Sequence, residues 1–145
     1  MNRYAMTLLL LLVCGSALTC QTYTSTLEKS ESRANETAAI AALHSISLAE
    51  QAYLAGNGSY GTFEQLVQAG SLDSRFQATR PKLSGYVLSL TVIPKSESSQ
   101  GSYTINADPE GPTVAGARHL YFDSVSGLIH VNAGQPAGAS DQTLQ

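Results

Sequence analysis

The sequence predicts an α+β fold, one long N-terminal helix packed on an antiparallel sheet of about four strands. Three observations predict it. From Ser32 to Tyr60 apolar residues recur every three to four positions, the period of a helix. From Gly85 onward they recur every second position, the period of a strand. Between the strand-like runs lie short polar stretches rich in Gly, Pro and Ser, which read as hairpin connections.

The chain has 145 residues, enough for a single domain of roughly 110 to 125 residues once a leader is set aside. Net charge is −3, from 8 Lys and Arg against 11 Asp and Glu, so no basic surface exists to hold phosphate backbones and nucleic acid is excluded as a partner. The low share of charged residues, with abundant Gly, Ser, Thr, Asn and Gln, suits an extracytoplasmic protein.

Residues 1–20 read as a secretory signal. Asn2, Arg3 and Tyr4 make a short basic start, Leu8 to Val13 an unbroken apolar run, and Gly15, Ser16 and Ala17 a small-residue zone. Counted from Ala5 to Cys20, the apolar segment is shorter than the roughly 20 residues of a membrane-spanning helix. Cleavage is therefore expected before retention, and export to the periplasm or cell envelope follows. Both cysteines, Cys14 and Cys20, lie in this leader, so the body can form no disulfide of its own. Ala17-Leu18-Thr19-Cys20 resembles the lipobox of bacterial lipoproteins, with Ala17 and Thr19 departing from the preferred residues. Cys20 is thus the candidate lipidation site, through which the protein would meet the membrane at about 0.8 kcal/mol per buried CH₂. The alternative is cleavage after Ala17, leaving Cys20 an ordinary thiol.

Residues 21–31 are polar and read either as a tether or as the first turns of the long helix. The domain proper spans 32–132. In its helix Ala39, Ala42, Leu43, Ile46, Ala49 and Tyr53 form the apolar stripe, Arg33, Asn35, Glu36, Thr37, Ser47, Glu50 and Gln51 the polar back, and Asn57 and Gly58 the stop. Thr62-Phe63-Glu64-Gln65 is a capping box opening a brief second helix with Phe63, Leu66 and Val67 inward, ended by Gly70 and Ser71 near Leu72. Phe76 and Arg80-Pro81 fall in an irregular connection.

Tyr86, Leu88, Leu90 and Val92 give the first strand a dry face, and Pro94 closes it. After the polar loop 95–101, Tyr103, Ile105 and Ala107 do the same for a second strand that ends at Asp108-Pro109. The segment 110–118 crosses the sheet as a loop. With Ser124 to Gly127 as a turn, the last hairpin sets Phe122 opposite Ile129 and Leu120 opposite Val131, with Tyr121 and His130 on the other surface. The tail 133–145 has little to bury and is expected to be frayed.

Chemistry-bearing residues are sparse. His119 and His130 do not oppose one another in this register, so they share no metal, and His44 reads as a partly exposed helix residue. Asp108, Glu110 and Asp123 carry oxygen ligands suited to Ca²⁺ if one end of the sheet gathers them, but no D-x-D-x-D-G spacing is present. There is no nucleophilic Cys in the body, no G-x-S-x-G turn and no phosphate-binding glycine loop, so no catalytic residue, metal ligand or cofactor is assigned and the chain is not read as an enzyme. The sequons at Asn35 and Asn57 read as incidental.

SRANETAAIAALHSISLAEQAYLAGNGSYGTFEQL, GYVLSLTV and SYTINADPEGPTVAGARHLYFDSVSGLIHVN together resemble, in order and spacing, the lower helix, loop and sheet of type IV pilin-like and type II secretion pseudopilin proteins, from about Ser32 to Asn132. The resemblance implies a pilin-like fold and a structural role among envelope proteins, the pilus or secretion components being its partners. Prepilins carry Gly, then Phe, then a Glu five residues into a long apolar helix. Here Gly15 precedes Ser16 and Ala17, and no acidic residue comes before Glu28. The resemblance therefore implies an accessory or interaction protein rather than a filament subunit, and the calcium loop of some pseudopilins has no counterpart. The other expectation is a free-standing ligand-binding or adhesion lipoprotein using the same fold.

Overall fold

The helical period continues well beyond its apolar stripe. In a computed structural model of the chain, which describes residues 3–111 and 116–144 and, for the first helix, side chains from Ser25 onward, α1 runs Arg3–Asn57. Its 55 residues extend about 80 Å at 1.5 Å per residue. Residues 21–31 are therefore helical, the second of the two readings the sequence left open. The side chains of residues 1–20, expected to form a leader, lie outside the described residues, Cys14 and Cys20 among them. Among the described residues no helix is long and apolar enough to cross a membrane.

Packing along α1 changes at Ser32. Residues 25–31 are all exposed, whereas Ala39, Ala42, Leu43, Ile46 and Ala49 are buried, with Tyr53 half-buried at the end of the same stripe. Three alanines on that stripe let the helix axis approach the sheet closely. The helix stops because Gly58 adopts φ 72°, a left-handed conformation that other residues reach only at a cost. At Thr62 the capping box forms in full: the Thr62 hydroxyl accepts from the Gln65 N–H and the Gln65 amide oxygen from the Thr62 N–H. That launches α2, Phe63–Gln68, which places Phe63 and Leu66 in the core. A 3₁₀ turn at Ser74–Phe76, capped by Asp73, buries Phe76 beside Phe63.

The sheet is a meander of six antiparallel strands in chain order: β1 Lys82–Leu83, β2 Tyr86–Ile93, β3 Ser102–Pro109, β4 His119–Asp123, β5 Leu128–Asn132 and β6 Gln142–Thr143. The four longer strands are those the alternation marks; the expected count of about four misses two. β1 is too short to show a period, and its signal is the Ser84-Gly85 pair, which turns with φ 48° and 73° in the manner of a two-residue hairpin. β6 arises because the tail, expected to fray, returns to pair with β5 and buries Ala137.

β3 and β4 are sheet neighbours, so the segment 110–118 joins adjacent strands instead of crossing the sheet. The last hairpin has the anticipated register, Leu120 opposite Val131, Tyr121 opposite His130 and Phe122 opposite Ile129. The inner faces of β2–β5 supply Tyr86, Leu88, Tyr103, Ile105, Ala107, Leu120, Phe122, Ile129 and Val131 to one core shared with α1 and α2. The protein is thus α+β, a long helix laid on an antiparallel sheet.

Candidate functional site

The least expected feature of the core is a carboxylate. Glu50 lies one helical turn after Ile46 and two after Leu43, so although its identity assigns it to the polar back, its position puts it on the buried face, and it is 0% exposed. One carboxyl oxygen accepts the Gly61 N–H at 2.9 Å, which holds the link between α1 and α2 against the helix. The other oxygen has no hydrogen-bond partner. Burial pushes the carboxyl up to about 7, with the Gly61 bond pulling the other way. One helical turn back, the Ser47 hydroxyl accepts from the Tyr103 phenol at 3.0 Å, and Tyr103 packs edge-on against Tyr60 at 4.8 Å. Burial first, and the Glu50 and Tyr60 charges after it, raise the Tyr103 phenol above its ordinary value.

Beside this cluster, Leu54, Gly58, Ser59 and Tyr60 face Val92 to Lys95, Gln100 and Gly101 across a groove of about 420 Å³. The volume lies within the range of small-ligand sites. The groove combines an aromatic ring, aliphatic walls, a serine hydroxyl and one ammonium group, an arrangement that can bind a small ligand.

A second polar cluster lies on the outer face of the sheet. Asp108 Oδ1 and His119 Nδ1 meet at 2.6 Å, one step past the last β3–β4 pair. The returning tail crosses this face: the Asn106 amide donates to the Ala137 carbonyl, His130 Nδ1 bonds the Asp141 carbonyl, and the Asn132 amide donates to the Asp141 carboxylate, which also accepts the Gly138 N–H. These bonds strap the tail down, and they occupy His130. One residue before His119, Arg118 forms a two-pronged ion pair with Glu36, 3.0 Å from Nε and 2.5 Å from Nη2, that ties α1 to the start of β4. The Tyr86 phenol donates to the Arg118 carbonyl, and burial followed by the Glu36 charge pushes it up to about 12.

The candidates from sequence fall apart in space. Asp123 sits at the far end of β4 from the Asp108 and His119 pair, and Glu110 pairs with Lys82, so the proposed Ca²⁺ trio is not assembled. Among the described residues no group of three His, Cys, Asp or Glu side chains is placed to hold a metal. His119 lies opposite Asn132 and His130 opposite Tyr121, as the register required. His44 is exposed. Asn35 is half-buried beside Gly85, while Asn57, at the helix end, donates to the Tyr53 carbonyl. Glu50 and the groove were missed because the first is polar and the second joins residues from three separate segments. Compared with known proteins, the chain matches no family model, no curated protein and no solved structure.

Proposed function

We propose that this chain is an exported, non-catalytic pilin-like protein of the bacterial cell envelope, an accessory or interaction component related to type IV pili or type II secretion. One observation carries the reading. α1 outruns the sheet it covers: its C-terminal half seats on β2–β5, while residues 25–31 project exposed and the helix continues back through residues 21–24, beyond the leader. A globular head with an extended helix suits a protein that presents its domain away from a membrane and meets protein partners there. The leader 1–20 directs export to the periplasm or envelope, and Cys20 is the residue that would carry a lipid anchor.

The groove beside Tyr60 favours a second reading, a free-standing ligand-binding or adhesion lipoprotein on the same scaffold. Cross-linking in cells followed by pull-down from envelope extracts separates the two. Recovery of pilus or secretion components supports the first; a bound glycan or small molecule with none of those components replaces it by the second. Intact mass of the mature protein locates the N-terminus and any acyl chains. A Cys20→Ala variant with unchanged mass shift and membrane partition would dismiss the lipid anchor.

A further inference from the structure

The link between α1 and α2 is tied to the helix through one side chain. Gly58 gives its N–H to the Leu54 carbonyl and Thr62 gives its own to the Gln65 side chain, the two caps that end α1 and begin α2. Between them the Gly61 N–H goes to Glu50, while Ser59 and Tyr60 donate no backbone hydrogen bond to any described residue. Gly61 lies so close to α1 that a Cβ there would stand 2.9 Å from the Tyr53 ring. Tyr60 adds its own ring, edge-on against Tyr103 of β3.

Nothing around Glu50 compensates a charge. It is 0% exposed, and one of its carboxyl oxygens has no partner. The ionisable side chains about it are phenols: Tyr53 one turn on in α1, Tyr60 on the link and Tyr103 on β3. α2 turns Phe63 and Leu66 inward and keeps its one charge, Glu64, exposed, and His44 farther back on α1 is exposed as well. The inward residues of β2–β5 include no charged side chain. Among the described residues no Lys, Arg or His forms an ion pair with Glu50. A neutral carboxyl tolerates such a site far better than a carboxylate does. The Gly61 N–H favours the ionised form, yet burial outweighs it and holds the carboxyl at about 7, so one donor does not replace the water that ionisation calls for.

We infer that Glu50 is a proton-operated latch on this link: neutral, it holds the link closed against α1, and ionised, it gains water by the link lifting off the helix. The link is the cover that yields. Tyr103, on the other side, is fixed by backbone bonds to β2 along one edge and to Ser124 along the other, whereas the middle of the link rests on the Gly61 bond and the packing of Tyr60. Lifting it moves Ser59 and Tyr60, which line the groove together with Val92, Lys95 and Gly101, so the shape of the groove follows the proton on Glu50. An uncovered carboxyl releases its proton near the ordinary 4.5 and the covered one near 7. Opening therefore sheds a proton between these values and becomes easier as pH rises, by about 300-fold from fully neutral to fully ionised, levelling off above about 7.

Native-state amide exchange of the mature full-length protein, followed by NMR between about pH 4.5 and 8, reads the opening at Gly61 once the intrinsic base catalysis of exchange is divided out. The opening constant at Gly61 should rise roughly 150-fold across this range and flatten above about pH 7. Low urea should leave it unchanged while speeding exchange at Ile105 and Phe122, which face one another in the β3–β4 ladder, because lifting the link exposes little surface and global unfolding exposes much. Glu50→Gln, whose amide keeps an oxygen for the Gly61 N–H and cannot ionise, should hold the opening constant at its acid value at every pH. A Gly61 opening constant that ignores pH, that shares the urea slope of Ile105, or that keeps its pH dependence in Glu50→Gln would each overturn the latch.

Discussion

Replacing Glu50 by Gln tests whether the buried carboxyl controls how stability depends on pH. The carboxyl stands at about 7 in the folded protein against an ordinary 4.5. Between those pH values the folded state keeps a proton that the unfolded chain has released, so the unfolded state binds fewer protons and stability falls as pH rises. The contribution is intact below about pH 4.5, declines across the window and is lost above about 7, a difference of about 3 kcal/mol at roughly 1.4 kcal/mol per pH unit. In the Glu50→Gln variant the amide keeps an oxygen for the Gly61 N–H and cannot ionise. Urea denaturation of both proteins between about pH 4.5 and 8 should then show their midpoints diverging, by roughly 1 to 2 M at an m-value of about 2 kcal/mol/M. The variant should be the more stable at the alkaline end. Subtracting one curve from the other cancels the titration of every group the two share. Curves that stay parallel across the range would refute the argument, because they would mean that Glu50 ionises in the folded state as readily as in the unfolded one.

Other changes probe the rest of the frame. Thr62→Ala removes the hydroxyl half of the capping box and should lower stability by about 1 kcal/mol, read from the same denaturation midpoint. Ser32 is buried with a hydroxyl that has no partner, so Ser32→Ala should raise thermal stability, by about 0.5 to 1 kcal/mol. Arg118 is partly exposed, which discounts its ion pair with Glu36; a double-mutant cycle with Glu36→Gln and Arg118→Met should return a coupling of about 1 kcal/mol that shrinks in high salt. Asp141→Ala releases Asn132 and the Gly138 N–H together, and hydrogen exchange should speed at Gly138 and Leu144 while the amides of β3 stay protected.

What could be read from the chain was local. The stripe Ala39, Ala42, Leu43, Ile46 and Ala49 was visible because helical neighbours lie three and four positions apart. The capping box spans four residues, and the Phe122 to Ile129 register follows from strand parity about one turn, since a slip of one residue would turn Leu120 and Val131 outward. Each depends on side chains whose separation along the chain fixes their separation in space.

The rest came from how distant segments meet. Glu50 is polar by identity and buried by position, and only the sheet beneath α1 turns that position into a raised carboxyl. Glu36 and Arg118 are 82 residues apart, and no period connects them. The tail holds too little apolar surface to predict its own order, yet it is strapped by Asn106, His130 and Asn132, groups that the sheet lines up on one face. Asp108 and Glu110 stay at one end of the sheet with separate partners, His119 and Lys82, and the antiparallel ladder sends Asp123 to the other end. Period was enough to say which residues form helix and strand and which faces are apolar. Which polar groups pair and which are buried followed from the packing of segments that no period links.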